Sequence, residues 1–157
     1  MIQILSTTLF PLILIGLLLT ACVTDWRERI IPHWLNISIA VLAPIHWWLL
    51  GWPLWPAITE QIALAVLVLG FFILIQAMGQ MGGGDVKLLG ALALWLPWVQ
   101  MMQLLIIMAI LGGVLTVALV IAHRRRKAEG QPEIPYGIAI ALAAILQISK
   151  PFLNHFS

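Results

Sequence analysis

Residues 99–122 read VQMMQLLIIMAILGGVLTVALVIA and are followed at once by His123-Arg124-Arg125-Arg126-Lys127. A helix rises 1.5 Å per residue, so about 20 apolar residues cross the roughly 30 Å of hydrocarbon in a bilayer. This uncharged run is long enough to span. The cations that close it mark a cytoplasmic end, where Lys and Arg accumulate. Outward from it the pattern repeats: charged, Pro-rich or Gly-rich breaks bound six apolar stretches, at approximately 2–23, 33–51, 61–79, 86–97, 99–122 and 135–152. The fourth is too short to cross upright and reads as a tilted or partly buried half-span.

Composition leads to the same class. Of 157 residues, 62% are hydrophobic and 9% charged, with mean hydropathy +1.07, against roughly 45–50% and 25% in an ordinary soluble domain. A core of this size cannot hide so much apolar surface from water. The expectation is an all-α polytopic membrane protein, a single integral-membrane domain over 1–157 with about six transmembrane helices. No room is left for a separate soluble domain. The net charge of +2 comes mostly from the run at 124–127. That run reads as a topology signal rather than a phosphate-binding face, so no nucleic-acid partner is expected.

Orientation follows from the cations. With the amino terminus outside, the loops at 24–32, 80–85 and 123–134 face inward, and Arg27, Arg29, Lys87 and the run from Arg124 to Lys127 lie at the inner face. Only Lys150 falls outside, a strong positive-inside bias that also requires the fourth crossing. Trp47, Trp48, Trp52, Trp55, Trp95 and Trp98 then cluster at the outer interface, and Trp26 and Trp34 at the inner one, as aromatic anchors do.

A lone cysteine, Cys22, excludes an internal disulfide and a cysteine-based zinc site. Leu19-Thr20-Ala21-Cys22 resembles a lipoprotein cleavage box, but 1–20 holds no Lys or Arg, whereas a signal peptide opens with positive charge. His33, His46, His123 and His155 are scattered and form no HExxH or carboxylate cluster, so they read as interface residues and no metal or cofactor is expected. Gly70, Gly112 and Gly113 read as packing points between helices.

The chemistry rests on the two aspartates of the chain, Asp25 and Asp85, both placed at the inner rim. Taken singly, Asp85 could be a helix N-cap and Asp25 a loop partner of Arg27 or Arg29. Taken together, they allow another reading. Two carboxylates brought close cannot both ionise easily, so one proton is shared. The ionised one then activates a water while the protonated one polarises a peptide carbonyl. Gly82, Gly83 and Gly84 beside Asp85 would let an extended backbone approach without a Cβ clash. Helix polarity favours the charged form of Asp85 at a helix start and disfavours that of Asp25 at a helix end, so Asp85 is expected to be the base.

These residues resemble a known family. Met81-Gly82-Gly83-Gly84-Asp85-Val86-Lys87-Leu88-Leu89 is similar to the GxGD signature of the type IV prepilin peptidases, membrane aspartyl proteases that include the archaeal preflagellin peptidases. Asp25, with Arg27, Arg29, Ile31 and Pro32, resembles the first aspartate motif of that family, although His33 stands where Asn is usual. Ile134-Pro135-Tyr136-Gly137 resembles a third recurrent patch. The resemblance implies a GxGD bundle with Asp25 and Asp85 catalytic. It makes Gly82, Gly83, Gly84, Lys87, Pro32, Pro135, Tyr136 and Gly137 motif or substrate-proximal residues.

The small size resembles the tight-adherence pilus branch, without the cysteine-bearing methylating domain, which implies cleavage without N-methylation. The implied partners are a prepilin or pseudopilin precursor, the lipid bilayer and pilus or secretion machinery. The implied location is the inner membrane, with cleavage of a short basic leader just before the hydrophobic helix of the precursor, at the cytoplasmic face. Two other classes compete. A proton- or ion-coupled transporter would place its acids near the midplane and repeat its halves, and a noncatalytic assembly subunit would tolerate loss of either aspartate.

Overall fold

The computed structural model describes residues 2–125 and 136–153, with side chains placed in 7–121 and 136–150. Each of the six apolar stretches holds one helix: α1 (Ile2–Glu28), α2 (His33–Leu49), α3 (Thr59–Ala77), α4 (Gly83–Leu92), α5 (Trp98–Arg125) and α6 (Tyr136–Leu153). An irregular turn at Leu54–Ile58 leads into α3. Among the described residues, three helical stretches are long and apolar enough to cross a membrane: Thr7–Glu28, Leu54–Ala77 and Trp98–Ile121.

The short α4 organises the rest. It packs against α2, α3 and α6, and Val86, Leu88, Leu89, Gly90, Ala91 and Leu92 are all buried. A helix apolar on nearly every side belongs in an interior; only Lys87, at its first turn, reaches the surface. The helix runs over 83–92 rather than 86–97. Beyond Leu92 the chain tightens into turns, with Leu94 N–H bonded to Ala91 O and Trp95 N–H to Leu92 O. Pro97 follows, and a residue before proline is disfavoured in the helical region.

A helix ending inside a bundle leaves carbonyls that need donors. The buried Gln61 of α3 supplies them, its Nε2 donating to Ala93 O and to Leu96 O at 2.7 Å each. Trp95 Nε1 donates to Ile39 O of α2 at 2.8 Å. Trp95 also stacks on His46, centroids 5.2 Å apart, and His46 meets Phe10 on its other side. Trp95 and His46 are therefore packing residues of the bundle and not interface anchors. Trp47, stacked on Trp52 and 3% exposed, is likewise interior. Trp26, Trp34, Trp48, Trp55 and Trp98 remain exposed, as anchors must be.

At the opposite end, α1 continues past residue 23 to Glu28, so Asp25 lies inside its last turn. The helix closes at Arg29, whose φ of 56° is left-handed, the usual geometry one residue past a helix end. Cys22 stays unpaired and half-buried within the continuous helix. Of the expected packing glycines, Gly112 meets the Tyr136 ring at 3.3 Å from where a Cβ would stand, whereas Gly70 and Gly113 face nothing within 4 Å.

Gln61→Leu leaves two buried carbonyls without their donor and is expected to cost about 1–3 kcal/mol. Thermal unfolding of the purified protein in detergent measures it; an unchanged midpoint would mean that α4 is terminated by something other than Gln61.

Candidate active site

Four helix ends meet at one end of the bundle: the last turn of α1 and the first turns of α2, α4 and α6. Asp25 comes from α1 and is 5% exposed. Its Oδ2 accepts the Ile138 N–H at 3.0 Å, with the Gly137 amide also interacting. Those amides open α6 and have no partner within their own helix. A carboxylate on them satisfies the backbone and is favoured by the helix dipole.

The approach is possible only because residue 137 lacks a side chain. A Cβ there would lie 2.8 Å from Asp25 Oδ2 and 2.7 Å from Ile31 Cδ1. Tyr136 packs its ring on Gly112 of α5 and so fixes the start of α6 from the other side. Pro135, with Ile134, Arg126, Lys127, Glu129, Glu133 and His155, lies outside the described residues, as do the side chains of His123, Arg124 and Arg125.

Asp85 is 9% exposed. It is the third residue of α4, because Gly82, with φ −69° and ψ 142°, holds the N-cap position. The alternative that Asp85 is itself the N-cap is thus corrected. Gly83 and Gly84 are correspondingly helical, not a free turn. Gly84 abuts the strap between α1 and α2: a Cβ would sit 3.2 Å from Ile31 Cβ and 3.4 Å from its carbonyl oxygen. Asn36 of α2 ties the same point, its Nδ2 donating to Gly84 O at 3.2 Å. Pro32, with extended ψ of 143°, caps the start of α2.

Asp25 and Asp85 line one cavity of about 250 Å³, together with Gly82, Gly83, Gly84, Arg29 and His33. Asp85 stands at the rim, ahead of the apolar stretch at 86–97. Burial above all, and then the charge of Asp25, push its carboxyl up to about 7. Lys87 leaves the cavity and reaches the exposed rim, 3.4 Å from Nδ1 of His33. Among the described residues no group of three or more His, Cys, Asp or Glu is disposed to hold a metal ion.

The expectation that Asp85 is the ionised partner fails on this geometry. It considered only the C-terminal end of α1 beside Asp25, but the N-terminal end of α6 faces the same carboxylate and donates to it. Of the two aspartates, Asp25 is the one furnished with donors for a negative charge. Sequence reasoning also missed Asn36 and the α6 amides. An asparagine inside an apolar helix is costly unless bonded, and that signal could have picked out Asn36; a backbone amide carries no such mark.

The family model for the type IV leader peptidase family matches residues 12–117, more than half of the chain and both aspartates. The chain belongs to the type IV leader peptidase family. A prepilin leader peptidase/N-methyltransferase of Burkholderia pseudomallei is 37% identical over 87 residues, 54% of this chain and 27% of that protein. The prepilin peptidase EppA of Methanococcus maripaludis is 42% identical over 78 residues, 49% of this chain and 20% of that one. The matched region is thus about a quarter of these relatives' own length. No solved structure matches the chain. For this family member the fold expectation of an all-α membrane bundle holds.

Gly137→Ala is expected to push α6 off Asp25 and lower stability by about 1–3 kcal/mol, the cost of overpacking a filled site. Gly113→Ala, into open space, should leave the unfolding midpoint within error of the wild type. Equal midpoints for the two variants would show that α6 does not need this approach.

Proposed function

We propose that this chain is a membrane aspartyl endopeptidase that removes the basic leader from type IV prepilins of the tight-adherence kind, at the cytoplasmic face of the inner membrane. One observation carries the reading: the only two aspartates in the sequence, from separate helices, line a single cavity at one end of an apolar bundle. The GxGD-like glycines beside Asp85 and the family membership support it. With the amino terminus outside, the positive-inside pattern of the sequence puts seven of the eight Lys and Arg residues on the cytoplasmic side. A positively charged leader stays on the same side.

Asp25, with the α6 amides at its carboxylate, is the base, and Asp85 carries the proton. Asp25 takes a proton from a water whose oxygen forms a bond to the carbonyl carbon of the scissile peptide. Asp85 gives its proton to the carbonyl oxygen, and a tetrahedral diol results. Its collapse breaks the C–N bond, the amine leaving with the proton held by Asp25 while the hydroxyl proton returns to Asp85. Gly82 keeps the backbone beside the Asp85 carboxyl bare, a Cβ there standing 3.1 Å from Oδ2, while Gly83 and Gly84 pack against Gln76 and Ile31. Arg29, Pro32, Tyr136 and Gly137 hold the two aspartates in place, and Lys87 lies at the rim. The partners are the precursor, the bilayer and the pilus assembly machinery that receives the processed subunit.

The reading is tested by co-expressing a tight-adherence prepilin with the wild type, Asp25→Asn or Asp85→Asn, at matched membrane levels. Each variant is expected to lose at least about 100-fold in processing rate, the scale of losing an acid or base. Processing at the wild-type rate by either variant would remove the dyad and favour a transporter or an assembly subunit.

A pH profile tests the roles. Asp85 must enter the reaction protonated, and its pKa is raised to about 7, so kcat/KM should fall as pH rises through that value. Activity that keeps rising well above it would reverse the two assignments.

A further inference from the structure

A second concavity opens sideways rather than toward the bundle end. α2 and α3 pack against α4 rather than against each other, leaving a cleft of about 490 Å³ between them with α4 as its floor. Its walls are apolar and outward-facing: Ile37 of α2 is 61% exposed and Val66 of α3 65%. Its lining includes the small Ala40, Ala65 and Ala91, while Leu69 packs on Gly90. From His33 to Ala40 the cleft follows α2 for about two helical turns, roughly 10 Å.

We propose that this cleft receives the apolar helix of the precursor that follows the cleaved bond. The inference rests on the peptidase reading and adds to it where the uncut part of the substrate lies. Three observations select this occupant. His33 lines both the cleft and the aspartate cavity, so the two adjoin at that residue. A substrate cut just ahead of an apolar helix must pass from the aspartates straight into the bilayer, and the cleft is the lateral opening beside them.

The small residues of the cleft let another backbone come close, which is how helices associate in lipid, where dispersion and not hydrophobicity drives contact. An acyl chain needs no such relief. Finally, Lys87 stands at the junction, beside His33. Its positive charge turns a basic leader away from the cleft and leaves it to the uncharged segment, which fixes the direction in which the chain lies across the aspartates.

The test uses the full chain in membranes with co-expressed precursor. A photo-crosslinking residue at Ile37 or Val66 should capture the apolar helix of the precursor, identified by mass spectrometry. The same probe at Leu12 of α1, 54% exposed, should not. Adducts with phospholipid alone, or equal capture from Leu12, would overturn the proposal.

Ala40→Trp fills the cleft away from the aspartates. It should lower kcat/KM for the full-length precursor at least ten-fold through KM. A soluble peptide that contains the leader and cleavage site but stops before the helix should be cut at the wild-type rate. Equal losses on both substrates, or no loss on either, would overturn the cleft assignment while the peptidase reading stood. A wild-type chain that cut neither substrate would fail the peptidase reading, and the cleft assignment with it.

Discussion

A ten-residue helix reaches only about 15 Å, half of a bilayer core, so α4, starting at the rim, ends at membrane depth and must find partners for its last carbonyls inside the protein. Much of the architecture answers that constraint. At the far end, Gln61 and Trp95 tie the terminal turns to α3 and α2. At the near end, Asn36 holds Gly84, and the strap through Ile31 closes over the glycines. Because α4 contacts α2, α3 and α6 at once, fixing its height in the bundle fixes the position of Asp85 relative to every neighbour.

The second aspartate is held by the same logic applied to another helix end. α6 begins with amides that need acceptors, and α1 ends with a carboxylate that needs donors; the bond from Ile138 N–H to Asp25 satisfies both. One contact thereby ties α1 to α6 and gives the Asp25 carboxylate a backbone donor. Asp85 is buried as Asp25 is, and burial together with the like charge of Asp25 holds its carboxyl up near 7. The pair is unequal in its donors: the start of α6 donates to Asp25, whereas burial and the nearby charge of Asp25 act on Asp85.

The apolar stretches made the six helices legible, since lipid-facing and core-facing residues are alike apolar and a run of them has few alternatives. Boundaries at the reactive end were harder to read. The last turn of α1 is Asp25-Trp26-Arg27-Glu28, polar residues that end a hydropathy pattern without ending a helix. The glycine run suggested a loop, yet Gly83 and Gly84 are helical, because contact with Ile31 and Asn36 outweighs their weak intrinsic preference. Tryptophans were read by type as anchors, and type alone could not separate Trp95, whose indole bonds Ile39, from Trp98 at the surface. Both aspartates were legible as a pair through their rarity and their shared side of the membrane; the α6 amide that orders them was not, because a backbone donor has no side-chain identity.

That donor leaves its trace one residue away. The family match ends at residue 117, before α6, and Gly137 bears no side chain at all. Yet the space at Gly137 is bounded by Asp25 and Ile31 so tightly that any Cβ would overlap both, and the Tyr136 ring rests on Gly112 of the helix behind it. Tyr136 and Gly137 therefore form a spacing device: the glycine sets how near α6 comes to Asp25, and the tyrosine sets it from the far side. A site built on backbone amides depends on residues whose contribution is the absence of atoms or the filling of a gap, which is why Tyr136 and Gly137 look chemically mute in the sequence although the bond from Ile138 N–H to Asp25 depends on them.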